Sequence, residues 1–209
     1  MKTMYNRIAG DSVDRVEALS DGIFAVAMTL LVLDLHVPAG GTVHDEGQLW
    51  SALRSMLPQI VTYLMSFLTL SIFWTGQQTQ LNRFARTDRH LSWIQLAFLF
   101  FVTLLPFSTR LLSEFIGYRT ALLLYWFNIF LLGFTLLGSW KYARRAGLVK
   151  HEITPDVSKA IERRIMVAQS LYALGAALCA FDTWASIAFI VLVQLNFAIA
   201  PRLGFLSRF

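Results

Sequence analysis

Cysteine is nearly absent: the 209 residues contain one, Cys179, and it sits in an apolar run. That excludes a disulfide framework and a cysteine metal cluster. Charge is scarce as well, at 15% of residues, while 56% are hydrophobic. A soluble domain of this length seldom has such a balance, so the composition indicates an integral membrane protein. No small-residue cleavage site follows the polar opening "MKTMYNRIAGDSVDR", which argues against a signal peptide. A net charge of +5 would suit a nucleic-acid partner. The basic residues, however, fall between apolar runs, where membrane proteins carry them, and no nucleic-acid binding is expected.

A helix that crosses the hydrocarbon core needs about 20 mostly apolar residues. Five uncharged runs reach or approach that length: Ser55 to Asn82, Leu91 to Thr109, Thr120 to Trp140, Ile165 to Phe181 and Thr183 to Pro201. The opening segment "RVEALSDGIFAVAMTLLVLDLHVP" makes a sixth. The expected fold class is all-α, a single six-helix transmembrane domain over 1–209. Its approximate spans are 15–37, 52–80, 91–112, 118–142, 163–181 and 183–203. Asp182 alone parts the last two, which predicts a tight helical hairpin.

Loop charge sets the expected orientation. The N-terminal arm, the loop holding Arg83, Arg86 and Arg89, the stretch Lys141 to Arg164 and the C-terminal tail carry 15 of the 18 Lys and Arg. Arg54, Arg110 and Arg119 remain for the other side. By the positive-inside rule both termini are cytoplasmic, in a multi-pass protein of the cell membrane.

The first span is the most polar one. At about 3.6 residues per turn, Val26, Leu30, Leu33 and Val37 fall in one line, with Thr29 beside Leu30 and Gly22 below Val26. Neighbouring faces carry the small residues Ala18, Ala25 and Ala27, which permit close helix packing. Such a stripe suits ordinary bundle core or the lining of a pore. Asp21 lies near the level where lipid begins, and ionisable residues at that depth face protein or water. Arg15 and Asp21 are six residues apart and project in different directions, so each needs a partner elsewhere. Ser20 and the helix dipole favour a carboxylate at that end. A polar cluster at the mouth of a helix with an apolar line above it fits a pore liner.

"RVEALSDGIFAVAMTLLVLDL" resembles the first-helix signature of the transmembrane protein 175 family of potassium channels, in which Arg is followed after three residues by Phe-Ser-Asp and an apolar helix. Arg15, Ser20 and Asp21 match; Leu19 stands at the usual Phe. "SIFWTGQQTQLNRF" is similar to the end of the family's second helix, with Trp74 matching. "WIQLAFLFFVTLLPFSTRLL" resembles its third, with Pro106 and Phe107 at the Pro-Phe pair. Gln77 replaces a common His and Gln95 a common Asn; both still form hydrogen bonds, so their packing role is expected to persist.

The resemblance implies a homotetramer in the lipid bilayer with the first helices around one central pore. It puts Val26, Leu30 and Leu33 at an apolar constriction and Thr29 one step from it. It also implies a potassium channel, modestly selective over sodium, with permeant K+ and other monovalent cations as ligands and no cofactor. No "TVGYG" occurs, so a filter of stacked backbone carbonyls is excluded. A tight apolar ring instead closes by dewetting. A wider one passes the ion that gives up its water more easily, and a ring of Thr29 hydroxyls would sharpen the preference. Arg15, Ser20, Asp21 and Trp74 are expected to form a network that holds the first helix. Asp34, with Asp45 and Glu46, would draw cations to the outer mouth.

Other functions fit less well. An enzyme needs converging ionised groups or nucleophiles, and the uncharged runs of spans two to six hold no ionised residue. Gln59, Gln95, Asn128, Gln194 and Asn196 there suit interhelical hydrogen bonds. His36, His44, His90 and His151 lie at span ends or in loops without metal-ligand spacing, so no metal site is expected. A secondary transporter would want paired repeats with broken mid-membrane helices; Pro58 and Pro106 fall toward span ends and the halves are dissimilar. Transport of that kind and proton conduction stand as the alternatives.

Overall fold

The computed structural model describes residues 12–36, 41 and 43–199. All the regular elements among them are helical, apart from one isolated bridge between Phe84 and Val149. They are α1 (Val13–Val32), α2 (Glu46–Ser55), α3 (Leu57–Leu81), α4 (Arg89–Glu114), α5 (Arg119–Arg145), α6 (Pro155–Ala177) and α7 (Thr183–Ile199), with a 3-10 turn at Leu178–Ala180. Val37 of the first-helix line and the tail beyond 199 lie outside the described residues.

Most helix starts are written in their caps. Ser12, Asp45, Asp88, Thr154 and Asp182 each accept a hydrogen bond from a backbone N–H three residues on, which satisfies a donor the helix cannot. Asp182 thereby turns the chain between α6 and α7. The end of α5 uses Gly147 at φ 66°, a conformation that favours glycine. Leu148 N–H then reaches Ala143 C=O at 2.9 Å and Gly147 N–H reaches Arg144 C=O at 3.2 Å, closing the orphan carbonyls.

Among the described residues three helices, α3, α4 and α5, are long and apolar enough to cross a membrane; α7 is apolar but shorter. The run expected as one span from 52 is divided: α2 stops at Ser55 and α3 begins at Leu57, with Pro58 in its first turn. Proline is tolerated there because the missing N–H has no intrahelical partner anyway. α6 begins eight residues ahead of the expected 163, on the Thr154-Pro155 start.

α1 packs against α3 and α4, α4 against α5, and α7 against α3 and α6. The main core runs through these contacts and includes Phe24, Phe73 and Phe98, whose rings pack at tilted angles. Gly133 lets Gln169 of α6 lie against the α5 backbone: a Cβ there would sit 1.8 Å from Gln169 Nε2. At one end, Ala85 N–H donates to Leu148 C=O at 2.8 Å and Lys150 N–H to Arg83 C=O at 3.0 Å. Two basic loops are thereby clasped together over a smaller core of Leu81, Phe84, Leu91 and Trp140.

Candidate functional site

α1 has two unlike faces. Ser20, Phe24, Ala27 and Leu31 recur at helical spacing and are buried against α3 and α4; Phe24 is 1% exposed and Leu31 0%. The other face carries Val26 at 57%, Leu30 at 45% and Leu33 at 70%, with Thr29 and Asp21 also exposed. The candidate stripe is therefore not core of the protomer. A shallow groove runs beside it, lined by Gly22, Val26 and Leu30 of α1 and by Thr103 and Pro106 of α4. Pro106 lies inside α4, about two turns before its end.

Unlike α4 and α5, α1 exposes no aromatic ring, its one phenylalanine, Phe24, being buried. α4 and α5 expose Phe100, Phe107, Phe127, Phe130 and Phe134, bulky rings of the kind lipid accepts. α1 exposes aliphatic side chains interrupted by Gly22, Ala25, Thr29 and Asp21. Thr29 Oγ1 donates back to Ala25 C=O at 3.0 Å and Val26 C=O at 2.9 Å. Its proton faces the helix, and the oxygen lone pairs are left on the outer side.

Asp21 marks the edge between the faces. Its Oδ1 accepts from Trp74 Nε1 and from Gln78 Nε2, both at 2.8 Å. Trp74 and Gln78 are four residues apart, so one stripe of α3 supplies both donors. Charge-assisted bonds of this kind are the stronger class. Ser20, about 100° round the helix, points inward instead and donates to Gln77 Oε1. Gln77 Nε2 continues to Gln95 Oε1 at 2.8 Å, and Gln95 Nε2 to Ser139 Oγ at 2.8 Å. Adjacent residues of α1 thus tie it to α3 at its rim and, through two buried amides, to α4 and α5.

Of the four residues expected in one network, Asp21 and Trp74 meet directly. Ser20 enters a separate chain. Arg15 makes no side-chain bond or ion pair among the described residues; its backbone N–H bonds the Ser12 cap. Gln78 and Ser139 were not foreseen, although Gln78 is legible as the residue one turn past Trp74 on the same face. Asp34 is half-buried in the turn after α1, and Asp45 is engaged as the cap of α2 at 2.7 Å from Gln48 N–H. Of the other polar span residues, Gln59 accepts from His36 N–H at 3.2 Å, Gln194 donates to Thr69 at 2.7 Å and Asn128 lies 3.3 Å from Ser108.

Residues 15–106, which hold the Asp21 tie and the Ser20, Gln77 and Gln95 links of the buried chain, match the family described as endosomal/lysosomal potassium channel TMEM175. A Streptomyces collinus protein named a potassium channel is 32% identical over 165 residues, covering 77% of each chain. The crystal structure of a lysosomal potassium-selective channel TMEM175 homolog from Chamaesiphon minutus superposes with a TM-score of 0.76 at 28% identity, covering 90% of this chain and 97% of that one. The chicken (Gallus gallus) endosomal/lysosomal proton channel TMEM175 is 33% identical over 109 residues, half of this chain and 22% of its own length.

Proposed function

The chain belongs to the TMEM175 family, and from that premise we propose that it is a potassium channel of the cell membrane, not an enzyme. Four copies surround one pore lined by α1. Each subunit crosses the bilayer six times with both termini in the cytoplasm.

One observation carries this reading: the apolar line Val26, Leu30 and Leu33 is exposed on a helix whose opposite face is fully packed. Four such lines facing each other make an apolar throat. When it is narrow, water leaves and conduction stops; when it widens, partly dehydrated cations pass. Thr29 sits at the same level with its lone pairs outward, as a cation ligand requires. The Asp21–Trp74 tie and the Ser20–Gln77–Gln95–Ser139 chain fix the rotation of α1, and with it the direction the throat residues face. Arg15 contributes at the cytoplasmic mouth and Asp34 at the outer one.

Flux from proteoliposomes tests it. Potassium should leave faster than sodium, and single-channel steps should appear in planar bilayers. Potassium efflux no faster than from protein-free vesicles would refute the reading, and slow saturable flux without unitary steps would favour a carrier. A proton-sensitive dye in the same vesicles separates conduction of protons from that of potassium.

A further inference from the structure

Among the described helices, α2 is the one with no buried side chain. Its 10 residues extend about 15 Å, half of what a membrane crossing needs. The helix is nonetheless two-sided. Leu49, Trp50 and Leu53 fall within about 100° of one another on the helix wheel, and all three are exposed, Trp50 at 62%. Gln48, Ser51 and Ser55 take the opposite side, with Arg54 at the margin between the two.

The start of α3 sets the level of α2. One helix stops at Ser55 and the other begins at Leu57, so α2 lies at the end of the bundle away from the clasped basic loops. That same end exposes Tyr118 just before α5, and Phe181 and Trp184 at the turn between α6 and α7. Tryptophan and tyrosine collect where hydrocarbon meets headgroups, because the ring favours the first and its N–H or O–H the second. With Trp50 these rings mark one interface level. The arginines agree: Arg54 and Arg119 at this end join no ion pair among the described residues, and side chains of that length reach lipid phosphate from just below it.

We propose that α2 is an interfacial helix lying along the membrane surface, with Leu49, Trp50 and Leu53 set into the headgroup–acyl boundary of a phospholipid leaflet and Arg54 on lipid phosphate. Helices of this kind sink their apolar face about 5–10 Å into that boundary. In the orientation proposed above, the leaflet is the outer one. The placement has a consequence for α1. In the chain α2 stands between α1 and α3, and His36, just past α1, donates its backbone N–H to Gln59 Oε1 of α3 at 3.2 Å. Lipid contact at α2 therefore fixes the height of the segment that returns from α1. The inference goes beyond ion conduction and does not depend on which helix lines the pore.

The test uses the full chain in phospholipid nanodiscs, with Leu53→Cys or Ser51→Cys made in a Cys179→Ser background and labelled with an environment-sensitive fluorophore. Both positions are exposed, so neither label disturbs the core. The Leu53→Cys label should be quenched severalfold more by a lipid spin-labelled near the top of its acyl chain than by aqueous iodide. The Ser51→Cys label should show the reverse. Adding Trp50→Ser to the Leu53→Cys protein should raise its iodide quenching severalfold. Equal iodide quenching of the two labels, with none from lipid, would overturn the proposal by placing α2 in water. A Leu53→Cys label shielded from lipid and iodide alike would overturn it in favour of a face covered by a second copy of the chain. Stronger quenching by a spin label at the end of the acyl chain would overturn it too, by placing α2 in the hydrocarbon core.

Discussion

Trp74 of α3 holds the Asp21 carboxylate of α1 at 2.8 Å, at the rim between the packed and exposed faces of the helix. A ring without an N–H donor cannot do this. Trp74→Phe keeps the aromatic bulk and removes the donor, leaving Gln78 as the second partner. At a partly exposed site the loss should be about 1 kcal/mol, below the roughly 1.5–3 kcal/mol of a fully buried bond to a charged group. An apparent melting temperature lower by a few degrees would register it. A double-mutant cycle with Asp21→Asn should give a coupling energy clearly above zero. Strict additivity of the two changes would remove the bond from the description of α1.

The buried amide chain makes a sharper prediction. Gln95→Leu leaves both Gln77 Nε2 and Ser139 Oγ without their partner. Each orphaned buried group costs roughly 1–3 kcal/mol. Gln77→Leu strands Ser20 and Gln95 in the same way. The double variant Gln77→Leu/Gln95→Leu should therefore be less destabilised than the sum of the two singles, and thermal melts of the three proteins check this.

Two glycines of α5 should behave oppositely. Gly133→Ala drives a methyl onto Gln169 and should destabilise by about 1–3 kcal/mol. Gly138 has nothing within 4 Å of the same position, so Gly138→Ala should be neutral or stabilising by up to about 1 kcal/mol through helix propensity. Equal melting temperatures for the two variants would contradict the close α5–α6 approach.

For the pore, Leu30→Asn places an amide in the proposed throat. It should wet more readily and raise resting conductance severalfold in planar bilayers. Unchanged current would place the gate elsewhere.

Thr29→Val keeps the shape and deletes the oxygen. The reversal potential under potassium/sodium gradients should shift toward that of an unselective pore, and Thr29→Ser should restore it. If Thr29→Val leaves it unmoved, the hydroxyl serves only its backbone bonds to Ala25 and Val26.

Much of the helical content is visible in the uncharged runs, because removing charge from about 20 residues is what a membrane demands. The division at Met56 is less so: Arg54 ends the uncharged run and Pro58 marks a helix start, but neither shows that a separate helix, α2, precedes the span. α6 begins early because its first turns are amphipathic and charged, and hydropathy says nothing about helix there. At the candidate site, Val26, Leu30 and Leu33 share a face by periodicity alone, but periodicity cannot say whether that face is packed; the burial of Phe24 and Leu31 on the other side does. Asp21 announces itself as a charge at membrane depth. Its donors on α3 are 53 and 57 residues away, a pairing that only the fold brings together.

Disulfide trapping reaches the heart of the proposal. In a Cys179→Ser background, Leu30→Cys is oxidised in membranes and run on a non-reducing gel. If the exposed line of α1 looks onto its own copies across a common axis, covalent dimers form and reductant dissolves them. A band that stays monomeric under oxidation would mean that this helix looks at lipid.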